Sequence, residues 1–301
     1  MKKNIIRISF LLLASTFILW GCGNDNNNQK DVEDVLEVEV DTASTTVFKF
    51  NNTLFSVPSP YQIALMIREL NIDYNKDLLN PSTNSGKYTD NFQKALNFGI
   101  YGADLGYLNI YEQTPDAINY FSVLKMMSQE LGISGAFDKP TINRIEANMG
   151  NKDSLLFIMS NTYRKADSYL KDNSRNDVGV LILAGGWIES LHILTNIAQS
   201  EEANSSVINR LGEQKHPLDN LIKILSPYYN QSDQFTELLD GLIDLAYEFD
   251  GVDYVYKYVE PTTKPDQKLT IVNSESNIII SDEQLKVIAD KVNSIRKNII
   301  E

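Results

Sequence analysis

The stretch from Val178 to Ala198, VGVLILAGGWIESLHILTNIA, does most to decide what this chain can become. Its apolar residues fall on almost every side of a helical projection, and a helix of that kind is buried all round instead of lying on a surface. Gly185 and Gly186 remove side chains in mid-helix, at a cost in stability relative to alanine, which predicts a close approach by a neighbouring element. Glu189 and His192 share a face with those glycines. A carboxylate and an imidazole inside an apolar helix are the most chemically loaded feature of the sequence, and they need other helices packed round them.

Those helices are legible along the chain. Ser59-Pro60-Tyr61-Gln62 is a capping box with proline at the first helical position, opening a helix through about Asn71. Asn80 to Lys87 reads as a loop. Thr89 is placed to cap a long helix from Asp90 to about Glu112, in which Gly99, Gly102 and Gly106 make a small-residue stripe for close helix packing. Further helices are predicted from Thr114 to Gly132, Pro140 to Met149, Asn151 to about Asp172, Ser205 to about Lys215, Pro217 to Leu225, and Phe235 to Phe249, the last opened by Ser232 or Asp233. Ser281-Asp282-Glu283-Gln284 is a second capping box, starting a helix to about Ile299. Val35 to Val40 and Thr45 to Phe50 carry strand signals, and Tyr254 to Tyr258 with Lys268 to Val272 suggest a small hairpin. The expectation is an all-α, irregular multi-helix bundle of about nine to ten helices, with minor short β segments at the N-terminal lead-in and near 254–273. No repeat period is present. A single helical domain over 35–301 is expected, with its core in 59–250.

The N-terminal end is different in kind. Lys2, Lys3 and Arg7 precede an apolar run from Phe10 to Trp20 that is too short to span a bilayer, so residues 1–21 read as an export signal. The run closes on Leu19-Trp20-Gly21-Cys22, which resembles the lipobox of bacterial lipoproteins, although Trp20 stands where that pattern usually has a small residue. The resemblance covers residues 1–22 alone. It implies that Cys22 is lipidated with palmitate-type acyl chains and becomes the new N-terminus, anchoring the protein to a membrane. Gly23, directly after the cysteine, is not the aspartate that resembles an inner-membrane retention signal, so the outer membrane is the implied destination, on its periplasmic or its surface face. Residues 22–34 then form the lipidated cysteine and a polar, disordered tether.

Charge and cysteine usage agree with an envelope protein. Cys22 is the only cysteine, so no intrachain disulfide is available and stability must come from the core. Loss of residues 1–21 removes three basic residues and no acid, which takes the net charge from -13 to -16. No basic cluster survives, and that argues against nucleic acid as a partner.

Candidate chemistry is sparse. Both histidines follow a glutamate by three residues, in Glu189-Ser-Leu-His192 and Glu213-Gln-Lys-His216, the spacing of di-iron carboxylate helices; Pro217 biases His216 away from helical geometry. Glu189 with His192 reads either as a satisfied buried pair or as part of a site. Asp104, on an aromatic face of its helix, reads either as a core aspartate bonded by a tyrosine or as one wall of a pocket with Trp187, Glu189 and His192. The chain's 15 tyrosines come in clusters and suit either helix contacts or binding surfaces, sugar-stacking platforms included. Phosphate loops, a serine elbow, His-Glu-x-x-His and a cysteine nucleophile are missing from the sequence. No cofactor is implied. The leading expectation is therefore a non-enzymatic envelope lipoprotein, a helical module that binds a partner protein, a small molecule or a glycan near the outer membrane. The alternative is an enzyme or metal-binding protein using Glu189, His192 and Asp104.

Overall fold

A computed structural model describes residues 45–50, 53–58, 60–69, 72–135, 139–148, 175–200 and 204–301, with single positions at 151, 154 and 158. The predicted export signal, the tether, the strand at Val35–Val40 and nearly all of the helix expected over 151–172 lie outside the described residues.

The body is all-α and multi-helical, as its apolar periodicity predicts. Two helices cross at its centre: α2 (Asn91–Ile110) and α5 (Asn176–Ala198). The crossing is close because glycines face backbone. A Cβ on Gly185 would fall on the carbonyl oxygen of Leu96, and one on Gly99 would fall on that of Ile182 and 2.6 Å from the Gly186 nitrogen. By length and composition α5 is apolar enough to cross a membrane, yet 89% of its most apolar window is buried inside the body. It is the core helix of the fold.

Around this pair stand α1 (Pro60–Glu69), α3 (Thr114–Glu130) and α4 (Lys139–Ala147), then α6 (Ser205–Gly212), α7 (Lys215–Leu225), α8 (Asp233–Asp250) and α9 (Asp282–Ile300). Helix α1 packs on both central helices, α3 lies on α2, and α9 fills the space between α5 and α8. The caps follow from local chemistry. Asp90, one residue beyond the predicted Thr89, caps α2 by accepting from the Gln93 amide, because the helix begins at Asn91 and the residue directly before it is the one whose side chain reaches that donor. Ser232 caps α8, and Ser281 with Gln284 makes the reciprocal capping box of α9. Gly132, at φ 69°, takes the left-handed position that ends α3.

Several expectations shift. His216 is helical: α7 begins at Lys215, and Pro217 is accommodated in its first turn, where a missing N–H leaves no helical bond unmade. The core also reaches past residue 250, since α9 buries Leu285, Ile288, Ala289, Val292, Arg296 and Ile299. Short strands do flank the helices. Strand β1 (Thr45–Phe50) pairs with β2 (Thr53–Pro58). In the C-terminal part, β3 (Asp253–Lys257) pairs with β6 (Glu275–Ile279), and β4 (Thr262–Lys264) with β5 (Leu269–Ile271). The hairpin is thus longer than predicted, and 269–271 pairs with 262–264 and not with 254–258.

Candidate functional site

Glu189 reaches its position because the apolar surround of α5 leaves its side chain no route to water, and it is fully buried. A lone carboxylate there would be untenable. Its counter-charge comes from the other end of the sequence. Arg296 on α9 grips it twice, Nε to Oε2 at 2.5 Å and Nη2 to Oε1 at 2.7 Å, the planar two-point pairing that guanidinium and carboxylate make. Nη2 also donates to the Leu78 carbonyl at 3.0 Å. Burial works against the charged guanidinium, and the Glu189 carboxylate outweighs it, holding Arg296 above its ordinary value.

Asp104 on α2 completes a triad. It is fully buried, its Oδ2 accepts the Asn80 amide at 3.1 Å, and its Oδ1 has no donor. The Asp104 and Glu189 carboxyls lie within hydrogen-bonding reach of one another. Burial first, and the Glu189 charge second, push Asp104 well above the usual carboxylate range. Two ionised carboxyls beside one guanidinium would leave a net buried charge. A proton taken up by Asp104 removes it, in the direction that burial and the Glu189 charge both push.

His192, one turn beyond Glu189, joins the same carbonyl. Its Nε2 lies 3.2 Å from the Leu78 oxygen, while Nδ1 lies 2.7 Å from Asn293 Oδ1 and 3.1 Å from Asn196 Nδ2. Burial holds the imidazole below its ordinary value against the raising effect of Glu189. Each ring nitrogen thus faces an oxygen, Leu78 at Nε2 and Asn293 at Nδ1, and a neutral imidazole donates to one of the two. Glu189 and His192 therefore do not form the pair that their spacing suggests; Arg296 takes the carboxylate.

The segment 72–88, with short 3-10 turns at Lys76–Leu78 and Ser82–Lys87, closes this site, and its backbone groups that face inward need polar partners. Asn80 supplies several, bonding Tyr88 and Asn97, and Asn97 in turn holds the Ile299 carbonyl at 2.9 Å. The tyrosines of α2 do the rest. Tyr101 bonds the Pro81 carbonyl, Tyr107 the Asn75 amide and Tyr111 the Ile72 carbonyl. Burial pushes Tyr74, packed on the same cluster, up to about 12. In this region tyrosine fastens backbone, a role for which its long rigid side chain and single hydroxyl are suited.

Of the four residues expected to line one pocket, Asp104, Glu189 and His192 meet round Arg296 and Leu78. Trp187 does not share these partners; its indole donates to Gln214 Oε1 at 3.2 Å. Sequence reasoning missed Arg296, although a signal was present. Leu285, Ile288, Ala289, Val292, Arg296 and Ile299 follow helical spacing, which places the arginine in the buried stripe of α9. Among the described residues no three His, Cys, Asp or Glu side chains gather to hold a metal ion. Glu213 is paired with Arg210 at 2.8 Å, and His216 is exposed.

None of the triad lines the cleft of about 410 Å³ that opens between α2, α8 and α9. Its floor is apolar, with Leu96, Leu238 and Ile295, and its rim carries Glu237, Asp244 and Lys291. The Lys291 ammonium is already engaged, by Glu248 at 3.0 Å and the Asp244 carbonyl at 3.2 Å. No protein-family model, curated protein or solved structure matches the chain.

The triad makes stability depend on pH in a predictable sense. Asp104 holds its proton more tightly folded than unfolded. Between the ordinary value of 3.8 and its raised folded value the folded chain carries one extra proton, so its contribution to stability is complete below that window. It is lost as pH rises through the window, at about 1.4 kcal/mol per pH unit. His192 tilts the other way: its contribution is present above 6.5 and is lost as pH falls towards its lowered folded value. Asp104→Asn keeps a donor towards Glu189 and cannot titrate. Urea unfolding from mildly acid to mildly alkaline pH should show the variant gaining on the wild type as pH rises. A constant difference between the two would show that Asp104 takes up no proton on folding.

Proposed function

We propose that the protein is a cell-envelope lipoprotein, anchored through acyl chains on Cys22 to the outer membrane, whose helical body binds a partner protein or small ligand. The observation that carries this reading is the N-terminal sequence: three positive charges, an apolar run, and Leu19-Trp20-Gly21-Cys22 ending on the sole cysteine. The polar stretch from Gly23 to Asp34 suits a tether, and the acidic balance suits a body held off an anionic surface by lipid rather than by charge.

Support for binding over catalysis comes from how the buried ionisable groups are spent. Both Glu189 oxygens are committed to Arg296, and Asp104 to Asn80 and Glu189. His192 is tied to Leu78 and its asparagine neighbours. Such a set fixes helices in register and offers no free base or nucleophile to a substrate. The cleft over Leu96, Leu238 and Ile295 is of a volume that small ligands occupy.

Growth with a labelled fatty acid, followed by membrane fractionation, tests the anchor. The wild type is expected to take up label and to sediment with membranes. Cys22→Ser should take up none and should appear in the soluble fraction once another peptidase has cut the signal. An unlabelled wild type that sediments as firmly as its Cys22→Ser variant would overturn the proposal.

A further inference from the structure

The cleft between α2, α8 and α9 has a long axis set by its two outer helices. Gly241 of α8 faces Ile295 of α9, and Glu248 of α8 holds Lys291 of α9, so the two run antiparallel along it. Leu96, Leu238 and Ile295 give it an apolar floor. Midway along the α8 wall Gly241 carries no side chain, and a Cβ there would come within 3.2 Å of Ile295 Cγ1. An unbranched chain can therefore lie through the middle of the cleft, against backbone and aliphatic carbon.

Carboxylates stand on either side of that bare position. Glu237 and Asp244 both line the cleft and both are exposed, two turns apart on α8, a rise of about 10.5 Å. Among the described residues no group hydrogen-bonds or ion-pairs with either carboxylate. The one cation in the lining, Lys291, is spent on Glu248 and on the backbone carbonyl of Asp244. Glu237, Asp244 and Glu248 thus set three negative charges against one positive, and two are left unanswered. The other polar groups of the lining, Gln93, Gln234, Ser294 and Asn298, are uncharged.

We propose that the cleft binds a linear aliphatic polyamine, extended along α8 with an ammonium group at each free carboxylate and its methylene chain over the floor. That assignment rests on the small-ligand reading of the cleft and not on the lipid anchor. Charge and shape select the occupant together. An anion would meet two unanswered carboxylates and no free cation. One metal ion cannot be shared by carboxylates two turns apart, since its oxygen ligands sit at about 2–2.6 Å. An uncharged chain would cover the floor and draw the carboxylates out of water without a counter-charge. A polyamine answers both requirements, because its charges are separated by apolar methylenes, and the outer ammonium groups of extended spermidine lie about as far apart as Glu237 and Asp244 along the helix axis.

Isothermal titration calorimetry of the full-length chain with spermidine, at low ionic strength, tests this. Saturable binding of one spermidine per chain is expected, and it should weaken as salt is raised. Glu237→Gln and Asp244→Asn should each weaken it by about threefold, and the double variant by about tenfold. Both positions are exposed, so all three variants should unfold at the wild-type urea concentration. Glu260→Gln/Asp266→Asn removes as much charge from exposed positions outside the cleft, and should bind as the wild type does. Equal weakening in that control, or undiminished binding by the Glu237→Gln/Asp244→Asn variant, overturns the proposal. Terminal octanediol, an uncharged chain of the same length, separates the ligand class from the cleft itself, and should bind at least about tenfold more weakly. Diol binding as tight as that of spermidine overturns the polyamine and leaves the cleft a site for small ligands. If neither binds, the small-ligand reading of the cleft falls with the proposal.

Discussion

Arg296→Met is expected to destabilise the fold by about 3–5 kcal/mol, the scale seen when one partner of a buried ion pair is removed. Methionine matches the aliphatic stem, so packing changes little. What is lost is the counter-charge of Glu189, which is fully buried, together with a donor to the Leu78 carbonyl. Asp104 then faces a carboxylate with no cation. Glu189→Gln should fall in the same range for the mirrored reason, a guanidinium buried without an anion. The double variant Arg296→Met/Glu189→Met separates the pair from its setting. Removing both charges deletes the desolvation cost of each, and the double should lie well above either single variant in stability. Urea unfolding of the three variants decides it. If the double variant loses as much as the two singles added together, the two side chains do not act as a pair.

That pair also shows where sequence reasoning ran out. The identity of α5 as a buried helix was plain, since an apolar run with few charges has one stable setting in a soluble body. So was the start of α9, whose capping box is a local signal read over four residues. The partner of Glu189 was not local. His192 sits one turn away and drew the inference, while Arg296 lies 107 residues further along and is delivered by the docking of α9. Spacing within a helix reports faces, and which face meets which is settled by packing. The same limit governs the C-terminal strands. Residues 269–271 have the alternation of a strand but no signal for its mate, and the Pro265–Lys268 turn, with Lys268 at φ 49°, sets the nearer pairing with 262–264. The tyrosines were ambiguous for another reason. Tyr101 and Tyr256 are one residue type, and only burial separates a fastener of backbone from an exposed side chain.

Gly185→Ala is expected to cost about 3 kcal/mol, at or beyond the upper end of what overpacking a core usually costs. In an exposed helix the change would help, since alanine is the better helix former by about 1 kcal/mol. Here the new methyl group falls on the Leu96 carbonyl, and neither backbone can turn away as a side chain could. Helices α2 and α5 must move apart, and every contact along their crossing loosens with them. Gly99→Ala meets the Ile182 carbonyl and the Gly186 nitrogen from the other side, and should cost a similar amount. Gly86→Ala is the control, because nothing lies within 4 Å of its Cβ and its effect should stay within about 0.5 kcal/mol. Because both central glycines serve one crossing, their effects should not add. Once the first methyl group has separated the helices, the second enters a gap already opened, so Gly99→Ala/Gly185→Ala should cost clearly less than the sum of the singles. Full additivity in urea unfolding would mean that each glycine relieves a separate contact and that α2 and α5 can adjust one end at a time.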